Sequence, residues 1–220
     1  MTPVYPIEEV TLNSGTQVNP LRFLYRIEPA VAAVVLVGIL PLALVIAGMI
    51  VILSRRSPLI RHTRVGWRGA TLSMLKFRTM WGNDAPDMRT LGIDEVDDVV
   101  PVAKNRLDPR VTSGFAAWCR RYSIDELPQI YHVLRGEMSF VGPRPITRSE
   151  LDTYYGPCTD EVLYLKPGIT GLWQIMGRNH LSYSQRRRLD LLLVRQASPR
   201  LYFTVLLRSV PRVITGYGAC

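Results

Sequence analysis

Asp125 and Glu126 are abutting carboxylates in "SIDELPQ", residues 123–129, directly after Arg120 and Arg121 and just before Pro128. Pro128 has no N–H and is tolerated in the first turn of a helix, where backbone donors are unpaired in any case. With Asp125 as the cap, Pro128 takes the third helical position and "QIYHVLRG" continues to a glycine stop at Gly136. The positive end of such a helix favours anions, carboxylate and phosphate alike. An ionised Asp125 beside arginines can attack a phosphorus atom when cations neutralise the phosphate it approaches, and a Mg²⁺ ion held by Glu126 and Asp125 would join that clamp. The plainer alternative is a capping Asp and a first-turn Glu that do no chemistry.

The surrounding cations weigh towards chemistry. In "LIRHTRVGWRGATLSMLKFRTM" two strands are expected about a turn at Gly66–Gly69. Strand periodicity then puts Lys76 and Arg78 on one face, able to meet a phosphate, with Leu75 and Phe77 on the other. In "VGPRP", Arg144 stands between Pro143 and Pro145, which restrict the backbone around it. A guanidinium held in that way suits a phosphate or a flat ring. A solvated hairpin face and a rigid turn with a surface arginine are the bland readings of the same residues.

The elements that must carry these residues form one catalytic domain over 55–220, preceded by a membrane segment over 21–54 and a loose tail over 1–20. The expected fold class is α+β, mainly helical with short β-hairpins. Acidic residues 84–98 read as a solvated helix or loop. "YLKPGITGLWQIMGR" reads as loop-rich with short strands, because Pro167-Gly168, Gly171 and Gly177 interrupt it. From Ser184 to Ile214, apolar residues recur at helical spacing with arginines between them, fitting core helices or helices lying on a bilayer.

No charged side chain occurs from Pro29 to Ser54. As a helix this run extends roughly 39 Å, more than the roughly 30 Å hydrocarbon core of a bilayer requires. Pro41, in its middle, removes a backbone hydrogen bond and should bend it. Arg22 and Arg26 flank one end and Arg55, Arg56, Arg61 and Arg64 the other, which argues for both ends on the cytoplasmic side. A kinked helix that spans is the competing reading, and the residues alone leave the two open.

The formal charge is +9. The basic block after the membrane run is interleaved with apolar residues, a pattern that suits anionic lipid headgroups and not nucleic acid. Cys119, Cys158 and Cys220 lack CxxC spacing, and no HExxH, Walker A or GxGxxG sequence is present. These absences argue against a disulfide framework, a structural zinc site and P-loop or Rossmann nucleotide binding.

"MLKFRTM", "DPRVT", "SIDELPQIYHVLRGEMSFVGPRP", "KPGITGLWQIMGR" and "RLDLLLV", in this order, resemble the bacterial monotopic phosphoglycosyl transferases. The resemblance implies transfer of a phospho-sugar from a UDP-sugar to polyprenol (undecaprenyl) phosphate, with Mg²⁺ and release of UMP, as the first membrane step of glycoconjugate assembly. It implies Asp125 as a nucleophile forming a covalent phospho-sugar enzyme, and Glu126 as its partner for metal or proton. Arg120 resembles the phosphate-binding arginine, Pro143-Arg144-Pro145 the nucleotide-contacting motif, and Lys76 a basic residue near the site. It further implies a re-entrant membrane helix broken at proline, here Pro41, at the cytoplasmic face of the bacterial inner membrane. A homodimer is compatible with it. Members commonly place Asp after a basic stretch before the membrane helix, where "YRIEPA" has Arg26 and Glu28; "IMGR" replaces a usual "VSGR"-like sequence. A membrane-anchored phosphohydrolase and a non-catalytic membrane scaffold remain the readings from other classes.

Overall fold

The computed structural model describes residues 19–81, 111, 113–177 and 181–215. The expectations for most of the N-terminal tail and for acidic 84–98 lie outside these residues. Helix α1, Arg22–Ser54, runs unbroken through Pro29 and Pro41 and closes on Arg55, whose left-handed backbone lets its N–H reach Val51 O. The interruption expected at Pro41 is not present in the helix: Pro41 removes one backbone donor, and the flanking turns carry the helix on.

α1 packs through a single stripe. Tyr25, Glu28, Ala32, Leu36, Ile39, Ala43, Ile46 and Ile50 recur every three or four residues, and the apolar ones meet three successive parts of the core. The opposite face is apolar and bare, with Val34 at 74%, Val37 at 73% and Ile52 at 72% exposure. The helix therefore lies along the domain over its whole length, and it is long and apolar enough to enter a membrane. Glu28, buried near its start, fastens that end: Oε1 accepts from Ser139 Oγ at 2.5 Å, Phe140 N at 3.0 Å and the Tyr202 hydroxyl at 2.6 Å. Glu28 thus serves as an anchor for the start of α1.

Strands β1 (Leu59–Val65) and β2 (Thr71–Phe77) form the expected antiparallel hairpin, in register from Leu59↔Phe77 to Val65↔Thr71. Its faces differ from expectation. Leu72 and Met74, on the Lys76 side, are buried against Ala32, Ile130, Val133 and Met138, so Lys76 emerges from an apolar face. Arg78 lies beyond the end of β2 and donates to Ser57 O from Nε and to Pro58 O from its backbone.

Helix α2, Gly114–Arg121, is capped by the Ser113 hydroxyl, which accepts from Ala116 N. A 3₁₀ turn over Ile124–Gln129 leads into α3, Ile130–Leu134. The chain then reverses at Gly136, φ 71°, the glycine stop expected from sequence. Strand β3, Ser139–Val141, pairs parallel with β4, Gly168–Thr170, so the second sheet is not a hairpin. Short helices α4 (Arg148–Glu150) and α5 (Thr159–Val162) fill the connection. β4 is a short strand of the kind expected in "YLKPGITGLWQIMGR", whereas α6 (Leu172–Met176), which follows it, is a helix not expected there; the expected C-terminal helices are α7 (Tyr183–Arg195) and α8 (Pro199–Thr215).

α8 is a core helix on one side and carries exposed apolar residues on the others. Tyr202 and Val205 are buried, while Phe203 and Leu207 on other sides are 48% and 69% exposed.

Candidate active site

The end of α2, the 3₁₀ turn and β2 converge on the carboxylate pair. Arg120 and Arg121 occupy the last turn of α2, and Ser123 follows with φ 55° and ψ 26°. A left-handed serine costs of order 1 to 3 kcal/mol, a strain that is commonest at functional sites. Here it turns the chain sharply, so that Asp125 and Glu126 enter the first turn of the 3₁₀ segment. Asp125 is thus not the cap; Ser123 holds that position, and its carbonyl accepts from Glu126 N at 3.1 Å. Pro128 sits inside the 3₁₀ segment, later than the third helical position expected from sequence.

Lys76 reaches across from the hairpin to place Nζ 3.5 Å from Glu126 Oε1. Asp125 is pushed up to about 6 by burial and by the Glu126 charge, with Lys76 and Arg120 pulling the other way. Near neutral pH it is an ionised, poorly hydrated carboxylate with Lys76 and Arg120 as opposing charges, the state a nucleophile needs. The neighbouring Cys119 is fully buried, and burial together with the Asp125 charge pushes its thiol up to about 11. It is inert packing.

Two adjacent carboxylates also fit a divalent cation. Magnesium is commonly held by one or two protein carboxylates, with water and substrate phosphate completing its shell. Asp125 and Glu126 supply such hard oxygen donors, and among the described residues no group of three or more His, Cys, Asp or Glu offers a fuller cage.

Arg144 belongs to a second cluster. Its backbone N–H donates to Asp190 Oδ1 at 3.2 Å, its Nη1 lies 3.4 Å from Glu150 Oε1, and its guanidinium stands 5.5 Å from the centre of the Trp173 ring. Arg186 lies 5.4 Å from the same indole. Glu150 also accepts from the Tyr183 hydroxyl, and Tyr154 stacks on Tyr183 at 4.2 Å. Asp190, 1% exposed, takes a second bond from the Tyr155 hydroxyl at 2.9 Å, and burial pushes it up to about 7.

Close backbone packing sets the "GPRP" turn. A Cβ at Gly142 would collide with Lys166 O and Gly168 N, and one at Gly168 would collide with Gly142 N. Both positions need glycine because two main chains touch there. Lys166, just before this crossing, is 7% exposed; its ammonium lies 4.8 Å from the Tyr25 ring centre and 5.5 Å from that of Trp67.

Of the residues expected from sequence, the structure therefore gathers Asp125, Glu126, Lys76 and Arg120 into one site. Pro143, Arg144 and Pro145 stand in a second cluster built on "VGPRP", while Arg78 is engaged at the base of the hairpin. Sequence reading missed Glu150, Trp173, Arg186 and Asp190. Only Asp190 left a signal, as an acid set among leucines in "RLDLLLV", where a helix buries its apolar face.

The family profile described as bacterial sugar transferase matches residues 22–216. The chain is 38% identical over 206 residues to a UDP-galactose-lipid carrier transferase of Erwinia amylovora, covering 90% of this chain and 42% of that protein. It is 36% identical over 193 residues to the exopolysaccharide production protein ExoY of Rhizobium meliloti, covering 86% and 84%. Over 139 residues it is 41% identical to an undecaprenyl-phosphate galactose phosphotransferase of Salmonella typhimurium, covering 59% of this chain and 27% of that protein. With a profile that takes in α1, the Asp125 turn and the Arg144 cluster together, the chain belongs to the bacterial sugar transferase family.

Proposed function

We propose that the chain transfers a sugar 1-phosphate from a UDP-sugar to undecaprenyl phosphate through a covalent intermediate on Asp125. The Asp125 carboxylate attacks the phosphorus that bears the sugar, the bond from that phosphorus to the bridging oxygen breaks, and UMP departs with the electron pair. A phosphate oxygen of the lipid then attacks the same phosphorus and the Asp125 carboxylate leaves, giving undecaprenyl-diphosphate sugar. Neither step requires a net proton from outside the phosphate groups.

The observation that carries this reading is the convergence of three elements on one carboxylate pair: Lys76 from β2 stands 3.5 Å from Glu126 Oε1, Arg120 ends α2, and the two cations are the opposing charges at a poorly hydrated Asp125. Lys76 and Arg120 neutralise the incoming phosphate, a service worth most where water is excluded. Glu126 orients Lys76 and completes the donor pair for magnesium. The bound Mg²⁺ would neutralise charge on the donor's diphosphate. Arg144, held by Asp190 and Glu150 against Trp173, presents a fixed guanidinium and aromatic surface for the nucleotide.

The names of the relatives in Erwinia and Salmonella support the donor and acceptor classes. The continuous stripe on α1 supports a placement along the membrane surface: both ends of the unbroken helix stay with one domain, its exposed apolar face enters lipid, and the site lies at the cytoplasmic face of the inner membrane. Mass spectrometry of the protein incubated with UDP-galactose and other UDP-sugars, without lipid, tests the central step. A phospho-sugar adduct on Asp125 with matching UMP is expected; no adduct with any donor, despite lipid product when acceptor is added, overturns the covalent route.

A further inference from the structure

We infer that His132, in its neutral form with the proton on Nδ1, is a positioning residue that sets Lys76 at the carboxylate pair by holding the outer edge of β2. The inference deepens the reading of the Asp125 site and rests on it for its functional consequence, though the contact itself stands on geometry alone.

His132 lies in α3 and is 4% exposed. Its Nε2 is 3.1 Å from Leu75 N, and its Nδ1 is 2.6 Å from Glu137 Oε2. A backbone N–H can only donate, so Nε2 must be the acceptor, and in a neutral imidazole the other nitrogen then carries the hydrogen. That hydrogen goes to the Glu137 carboxylate. A doubly protonated ring would keep the Glu137 bond but turn an Nε2–H towards the Leu75 N–H, so the two contacts together specify one tautomer.

The partners on the far side are themselves fixed. The His132 carbonyl accepts from Glu137 N at 2.9 Å and Met138 N at 3.1 Å, folding the turn at Gly136 back over the ring. Arg135 Nε lies 2.8 Å from Glu137 Oε1. Partial loss of hydration pushes Glu137 up, and the His132 bond and Arg135 charge outweigh it, holding the carboxyl below its ordinary value.

Among the described residues β2 has one strand neighbour, β1, so amides on its other edge need partners outside the sheet. The amide that His132 takes belongs to Leu75, immediately before Lys76. An edge left loose at Leu75 lets the next residue swing, and Lys76 Nζ already stands at 3.5 Å from Glu126 with little margin. The bland reading is a buried histidine that merely satisfies its two nitrogens. It differs in one respect: it gives no reason for the effect of His132 to depend on Lys76.

A substitution series separates the two. In His132→Gln the new amide oxygen would sit near the former Nε2, whereas in His132→Asn the shorter amide mimics the Nδ1 side and cannot reach Leu75. The first half-reaction is read as single-turnover UMP release from a UDP-sugar without lipid. His132→Asn should slow this step by about tenfold to a hundredfold, the scale of a displacement near 1 Å, with little change in donor half-saturation. His132→Gln should recover most of the loss.

In a Lys76→Met background, His132→Asn should cost less than about threefold, because the group it positions is gone. Full multiplication of the two losses overturns the inference, as does an asparagine variant equal to wild type. Independently of turnover, ¹⁵N NMR of wild-type imidazole nitrogens near neutral pH should show His132 protonated at Nδ1 and bare at Nε2. The opposite tautomer or a charged ring overturns it even if no UMP is ever released, while absence of UMP release with the expected tautomer counts against the Asp125 reading alone.

Discussion

Lys76 and Glu126 meet at 3.5 Å although 50 residues separate them, the first at the end of a hairpin and the second in a 3₁₀ turn after α2. Both side chains are partly exposed, at 23% and 30%, so the pair adds little to stability by itself. Its consequence is electrostatic: Lys76 is the first of the two cations that restrain the upward push on Asp125.

Replacing Lys76 by Met should therefore let the Asp125 carboxyl rise further above about 6. Sugar-phosphate transfer needs the ionised form, so the acidic limb of the rate profile should move to higher pH, and the rate at pH 7 should fall at least about tenfold. UMP release measured from pH 5 to 9 checks this. A limb that stays in place, or moves down, contradicts the assigned role of Lys76.

Asp125→Asn should abolish the adduct and stabilise the fold near neutral pH. The folded carboxyl titrates near 6, above its ordinary 3.8, so the folded state binds the proton more tightly. Stability from this group is therefore greatest below the ordinary value and is lost as pH rises through about 6. At pH 8 the ionised, poorly hydrated carboxylate costs up to about 3 kcal/mol, which asparagine removes. Thermal melts of the two proteins should separate at pH 8 and converge near pH 4.

Asp190→Ala should raise the half-saturation for UDP-sugar by about tenfold while leaving the rate at saturation nearly intact, since Arg144 loses its backbone anchor but the carboxylate pair is untouched. Asp190→Asn should be milder, because its amide oxygen can still accept from Arg144 N and its NH₂ can donate to Tyr155. Donor titration at fixed lipid concentration distinguishes the two.

Gly142→Ala should destabilise the chain by about 1 to 3 kcal/mol or more, because the new methyl has backbone and not a flexible side chain in its way. Gly114→Ala, where a Cβ meets nothing within 4 Å, is the matched control. Chemical denaturation of both checks it; equal midpoints would show that the β3–β4 crossing can open without cost.

Local chemistry was legible before the fold. The charge-free run, the Gly66–Gly69 hairpin, the stop at Gly136 and the clustering of carboxylates with arginines all follow from neighbours a few residues apart, where sterics and hydrogen-bonding inventory act directly. So did the family, whose motifs are themselves local strings. The cap assigned to Asp125 failed for a reason that neighbouring residues do not carry: Ser123 takes the cap position with a left-handed backbone, a strain that persists only where the surrounding structure holds it.

What lay beyond reach of the sequence were contacts between distant segments. That Lys76 meets Glu126, that Asp190 holds Arg144, that β3 pairs parallel with β4, and that His132 takes an amide from β2 depend on which surfaces α1 gathers along its buried stripe. Polar partners are chosen after the apolar packing has set the distances, and a carboxylate or imidazole in a string of letters carries no mark of the donor it will find. The residue types determined what chemistry was available; burial and three-dimensional proximity decided which group is charged, which is held and which faces the phosphate.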